Sequence, residues 1–169
     1  RQMCIRDSKE EMKKEEFTQL YRGFVKEFIS KLDMFEGEEI LYQAFPSFRI
    51  HQPNNIAVGQ FHRDSDFGHN THEINFWLPF TNAWDTNAVW IGDLETDDHE
   101  CMEVNYGQVS RFDGANSLHG NKDNLTGKSR LSIDFRIFPM KFYNQQEQEQ
   151  TETLTQKKKF VIGEYWSEL

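Results

Sequence analysis

Apolar residues at Phe17, Leu20, Tyr21, Phe24, Val25, Phe28, Ile29 and Leu32 recur at three- and four-residue spacing, which predicts an amphipathic helix. Ser8 and Glu11 stand as a capping-box pair ahead of it, and the acidic turn at 33–37 ends it. From Ile40 onward the pattern changes. Short apolar runs alternate with Gly, Asn, Asp and Pro, which predicts strands and turns. Two segments alternate clearly. Ile74, Phe76, Leu78 and Phe80 oppose Glu73, Asn75 and Trp77, while Leu131, Ile133, Phe135 and Ile137 oppose Arg130, Ser132, Asp134 and Arg136. Further strands are predicted at 57–62, 88–91 and 108–112, with Gly107 and Gly114 at turns. The chain therefore reads as mainly β with an N-terminal helix, and its many short strands suit a small jelly roll. If the helix covers the apolar faces, the polar faces line the inside of a partly open barrel where a ligand sits.

Beyond Tyr143 the composition shifts. Residues 144–156 are almost wholly Gln, Glu and Thr, a polar connection or exposed helix, and 160–169 are aromatic again and expected to dock back. The expected organisation is one domain over 8–143, followed by the connection and docking segment over 144–169. Residues 1–7 share no periodicity with the helical stretch after them and read as a fragment edge or non-native leader.

Composition narrows the class. The 169 residues fit one domain, and fifteen Phe with four Trp predict a core of large rings. A net charge of -9 disfavours nucleic acid, since the one basic run is Lys157-Lys158-Lys159. Cys4 and Cys101 make no disulfide framework, which suits a reducing, cytoplasmic setting. No run reaches the roughly 18 apolar residues of a membrane span. A small-molecule substrate is the expected partner.

The candidate chemistry starts at His62-Arg63-Asp64. Two residues apart on an extended strand end, His62 and Asp64 point to one side, and His119 comes from a distant strand. Two imidazoles and one carboxylate can hold iron(II) and leave the opposite positions open. Arg130, with Ser132 two residues on, offers a guanidinium fork that matches a carboxylate bidentately. The neighbouring polar residues read more plainly. His69 and His72 would need a helix to pair on zinc, yet Gly68 and Asn70 predict a loop. Asp66 is expected to cap local amides, and Arg49 and His51 to take structural hydrogen bonds. Arg136 shares the face of Arg130 about 20 Å farther along, so it is expected near the opposite barrel end, paired with an acid. His99 and Cys101 fall in the acidic stretch 95–103, read as a solvated loop. Trp84 and Trp166 lie outside the clear strands, and either is placed to cover the mouth of a site.

Together, His62-x-Asp64, His119 and Arg130-x-Ser132 resemble the motif set of the iron(II)/2-oxoglutarate-dependent dioxygenase superfamily. Asn75-Phe76-Trp77-Leu78-Pro79-Phe80, Asn87-Ala88-Val89-Trp90, 107–112, and His119-Gly120-Asn121 through Arg130 are similar to its phytanoyl-CoA hydroxylase-like branch and antibiotic-biosynthesis relatives. The likeness covers about residues 48–138, in a chain short for that family. It implies a double-stranded β-helix, a cupin-like barrel, with His62, Asp64 and His119 on iron. Arg130 and Ser132 would hold the far carboxylate of 2-oxoglutarate, and Asn75 and Trp77 would line the co-substrate or substrate wall. With O2 the implied reaction is hydroxylation of a small molecule, releasing succinate and CO2. Halogenating relatives carry a small residue where Asp64 stands, so Asp64 implies hydroxylation. The alternatives are a cupin-type metal-dependent isomerase or a dioxygenase that uses no 2-oxoglutarate, and a binding module that has lost turnover.

Overall fold

The computed structural model describes residues 15–57, 61–93, 98–153 and 157–169. They fall into two compact units, one made of the chain up to Pro46 with Ile137–Leu169, the other of Ser47–Arg136. The Ser8/Glu11 cap, residues 1–7 and part of the expected strand at 57–62 lie outside the described residues.

In the first unit, helix α1 (Glu15–Glu27) has Glu15 and Glu16 in its first turn and Lys26 in its last, signs that suit the helix dipole. Only Tyr21 and Val25 of it are buried, followed by Ile29 and Phe35 in two 3₁₀ turns. The buried stripe is narrower than the periodicity predicts, since Leu20 and Phe28 are 69% and 66% exposed. It meets the strand β1 (Ile40–Gln43). The Tyr21 ring meets Tyr42 edge-on at 5.8 Å, and its hydroxyl donates to the Gln43 carbonyl at 2.9 Å. β1 pairs antiparallel with residues 137–139 and with β9 (Trp166–Glu168). Leu41, Phe138, Phe160, Tyr165 and Trp166 form the core here. Trp166 is fully buried, a core ring rather than a cover over a site. Within the predicted polar connection, Gln145–Gln148 form the short helix α2.

The second unit carries the strands with the candidate residues. β2 (Ser47–His51) runs antiparallel to the start of β8 (Arg130–Pro139), from Ser47↔Asp134 to His51↔Arg130. β3 (Ile74–Pro79) lies on the other side of β8 and pairs with β6 (Ser110–Phe112). A second sheet orders β5 (Asp98–Met102), β4 (Val89–Asp93) and β7 (His119–Gly120). Both phases of the alternation are largely buried: Glu73, Asn75, Trp77, Arg130, Ser132 and Arg136 on one, Phe76, Ile133, Phe135 and Ile137 on the other, while Phe80 is 39% exposed. Trp77 packs with Ala83, Ala88 and Val104 in this unit's core.

Two expectations are corrected here. The described strands form open antiparallel sheets, β6-β3-β8-β2 and β5-β4-β7, with few helices, and no closed jelly roll, double-stranded β-helix or cupin-like barrel is present among them. Of the expected strand at 57–62, the described residues contribute one isolated bridge at His62, and β7 is two residues long, so among the described residues too few backbone partners are seen to carry a sheet round. Second, 98–102 is a strand and not a solvated loop, because β4 supplies a full antiparallel partner from Val89↔Met102 to Asp93↔Asp98. No helix among the described residues is long and apolar enough to cross a membrane.

Candidate metal centre

The triad is assembled by main chain. His62 and His119 form a reciprocal antiparallel bridge, each amide donating to the other's carbonyl at 3.0 Å. Their imidazoles therefore rise side by side, with centroids 4.6 Å apart. Arg63 remains extended and Asp64 opens a 3₁₀ turn, its amide donating to the Gly114 carbonyl at 2.9 Å. The carboxylate thus returns to the side on which His62 points. Asp64 Oδ1 lies 3.5 Å from His62 Nε2 and 3.8 Å from His119 Nε2. One donor atom from each of the three falls within 4.8 Å of the others. Facial donors about 2.1 Å from an ion sit roughly 3 Å apart, so a small inward shift completes coordination.

The protonation states suit ligation. His119 Nδ1 donates to the Ser117 carbonyl at 3.0 Å, which leaves Nε2 with its lone pair facing the other donors. Burial lowers the His119 pKa against the pull of Asp64, so the ring is held neutral. Burial alone would raise the Asp64 pKa. The Arg136 guanidinium, the largest of the influences that lower it, outweighs burial and holds the carboxyl well below the usual carboxylate range. Metal ligands must be unprotonated, and these two are.

Around Asp64 lies a hydrogen-bonded shell that the spacing of the motifs does not reveal. Asn75 Nδ2 donates to Asp64 Oδ2 at 2.7 Å, and Arg136 donates to the same oxygen from Nε at 3.0 Å and Nη2 at 2.7 Å. The sequence places Arg136 with an acid at the far barrel end; it does pair with an acid, but that acid is the candidate ligand itself. The available signal is the polar face of β3, where Glu73 and Asn75 match Arg136 on the polar face of β8.

Arg130 is 1% exposed and reaches Asn87 O from Nη1 at 3.0 Å, with its guanidinium 5.2 Å from the Trp77 ring centre. Its Nε, Ser132 Oγ and Asn75 Oδ1 are buried without a hydrogen-bond partner among the described residues. Burial brings the Arg130 pKa down to about 10. His51 is fully buried, with Nε2 2.8 Å from Asn55 O and Nδ1 3.3 Å from Asn87 O, and Arg49 pairs with Asp134 at 2.8 Å, so both are structural as expected. Asp66 Oδ2 accepts from the Arg63 amide at 3.1 Å, the expected local cap. His69 contacts Glu73 at 2.7 Å and His72 contacts Asn70, so each ring of this pair turns to its own local partner. Trp84 is 38% exposed.

No family model matches the chain. Over 131 residues it is 43% identical to the streptomycin biosynthesis protein StrG of Streptomyces griseus, a match that takes in 78% of this chain and 61% of StrG. The chain thus spans less than two thirds of that relative's length. The nickel complex of the non-heme monooxygenase ThoJ superposes with a TM-score of 0.50 at 17% identity, over 63% of this chain and 47% of that one. EvdMO1 superposes with a TM-score of 0.56 at 17% identity, over 75% of this chain and 33% of its own. At such identities the likeness is one of fold.

These findings correct the family expected from the motifs. The similar proteins are described as a non-heme monooxygenase and a streptomycin biosynthesis protein, and they give no support for the iron(II)/2-oxoglutarate-dependent dioxygenases or their phytanoyl-CoA hydroxylase-like branch. Iron(II), 2-oxoglutarate and hydroxylation with release of succinate and CO2 fall with that assignment. The cupin-type alternative falls with the closed barrel. The physical reason is that two His and one Asp make a donor set shared by unrelated metal proteins.

Proposed function

We propose that this chain carries the metal-binding part of a non-heme oxygenase acting on a small molecule, with a divalent transition-metal ion held by His62 Nε2, Asp64 Oδ1 and His119 Nε2. The observation that carries this reading is the convergence of three donor side chains, two fixed by a main-chain bridge and the third by buried hydrogen bonds. The oxygenase part draws on the fold shared with a protein described as a non-heme monooxygenase, and the small-molecule part on the likeness to StrG. A reducing, cytoplasmic setting belongs to the same reading.

When bound, the ion would supply Lewis-acid and redox chemistry at the positions the protein leaves open. The chain's own residues prepare for it. His119 presents a neutral nitrogen and Asp64 an anion, with the His62 ring beside them. Arg130 Nε and Ser132 Oγ, unpartnered on the same strand face, would bind an anionic end of the organic ligand, with Asn75 Oδ1 and Trp77 beside them. A guanidinium buried without a carboxylate is costly, and an incoming anion would offset that cost.

Titration calorimetry with Ni(II) tests the reading. One ion per chain should bind, and His119→Ala should weaken it at least 100-fold. Equal affinity in that variant would remove the triad from the proposal. Oxygen uptake with candidate small molecules then tests the oxygenase step, and uptake that persists in metal-stripped His119→Ala protein would overturn it.

A further inference from the structure

The two oxygens of Asp64 live in different surroundings. Oδ1 faces the imidazoles at 3.5 and 3.8 Å. Oδ2 accepts three hydrogen bonds, one from Asn75 Nδ2 and two from Arg136, all between 2.7 and 3.0 Å. A carboxylate oxygen offers about two lone-pair directions, so Oδ2 is saturated.

The donors are themselves held. Arg136 Nε lies 3.8 Å from Glu73 Oε2, and Glu73 is anchored by the Asn70 amide at 2.8 Å and by His69 Nδ1 at 2.7 Å. Asn75 is seated against Gly114, where a Cβ would come within 2.5 Å of its Nδ2. Any side chain at 114 would displace the amide that holds Asp64.

We infer that Arg136 and Asn75, backed by Glu73 and Gly114, are positioning residues that make Asp64 a one-oxygen ligand. The inference rests on the metal reading above and adds to it a specific geometry. With Oδ2 occupied, Asp64 contributes a single donor and the coordination sphere keeps its open positions for oxygen and substrate. With Oδ2 released, the carboxylate turns and takes one of those positions with its second oxygen. Hydrogen-bond partners that orient a metal ligand in this way are typically worth 10–100-fold in metal affinity or activity.

The test uses the full chain loaded with Ni(II) for affinity and Co(II) for its visible spectrum. Arg136→Gln should weaken Ni(II) binding about 10–100-fold and Asn75→Ala somewhat less. Both should alter the Co(II) bands, because an added carboxylate oxygen changes the ligand field. Arg136→Lys keeps the charge without the fork, so it should recover part of the affinity but not the wild-type spectrum. A purely structural role predicts no spectral change. If Arg136→Gln does not fold, the Arg136→Gln/Glu73→Gln double variant, which removes both buried charges, takes its place. Folded variants with Ni(II) dissociation constants within twofold of wild type and superimposable Co(II) spectra would overturn the inference alone. Wild-type protein that binds neither ion would overturn the metal reading and the inference with it.

Discussion

Arg130 and Arg136 sit on the same face of one strand, six residues apart, and both are buried, yet they live under opposite conditions. Arg136 is paired: Asp64 takes two of its hydrogen bonds and Glu73 stands 3.8 Å away. Arg130 has no ion pair among the described residues and relies on one carbonyl and one aromatic face. A buried charge with an internal partner belongs to the frame. One without a partner is a site whose complement arrives from outside, as the proposed function has it. Under that proposal the Arg136 position of β8 is finished by the fold, and the Arg130 position is left for a ligand.

Substitution by methionine should break this symmetry most visibly. Arg136→Met leaves Asp64 and Glu73 buried without their cation and should cost about 3–5 kcal/mol in urea unfolding, the usual penalty for removing one partner of a buried pair. A cost below about 1 kcal/mol would show that the pair is not closed in solution. Gly114→Ala comes next. The added methyl must push Asn75 off Asp64, and overpacking of this kind costs about 1–3 kcal/mol, here accompanied by weaker Ni(II) binding. Wild-type stability and affinity in that variant would mean the contact relaxes freely. Arg130→Met should be milder, within about 1 kcal/mol of wild type in the ligand-free protein, because no buried anion is left behind. A loss as large as that of Arg136→Met would erase the contrast.

The histidines sharpen the same comparison through pH. Burial lowers the pKa of His51, with Arg130 adding to the effect, and burial lowers that of His119, with Arg136 adding to it. The unfolded chain then takes up protons first, near the ordinary histidine value of about 6.5, so metal-free stability should fall as the pH drops below it. The depressed Asp64 carboxyl works in the same direction only in more acidic solution, below the unfolded carboxyl value of about 3.9. Urea midpoints at pH 7.5 and 5.5 check the histidine part, and equal midpoints would refute it. Arg130→Met should flatten the His51 share of the drop. The smallest effect is expected at Phe28, 66% exposed on the first unit, where Phe28→Ser should stay within about 0.5 kcal/mol.

The sequence is most legible where period and chemistry coincide. Alternation along β3 and β8 announces a buried polar face, and His62-x-Asp64 with His119 announces a candidate metal centre, whose three side chains lie within 4.8 Å of one another at one atom each. It is least legible where long-range partners decide. Arg136 and Asp64 are 72 positions apart, so spacing places that arginine at the wrong end. Residues 98–102 read as a loop because their composition is acidic, and only the partner strand β4 makes them extended. The amphipathic stripe of α1 overstates its buried width, since periodicity shows which residues share a face but not how much of that face finds a neighbour. The barrel fails for a similar reason: short strands can be counted along a chain, but closure depends on edges that these strands do not join.

The reciprocal amide bridge between His62 and His119 has a consequence for how readily such a centre can be retuned. Because peptide groups rather than imidazoles hold the two positions together, exchanging either ring for another donor leaves the spacing of the socket intact, and only proline would unfasten it. Ion preference can then drift, one side chain at a time, on an unmoving mount.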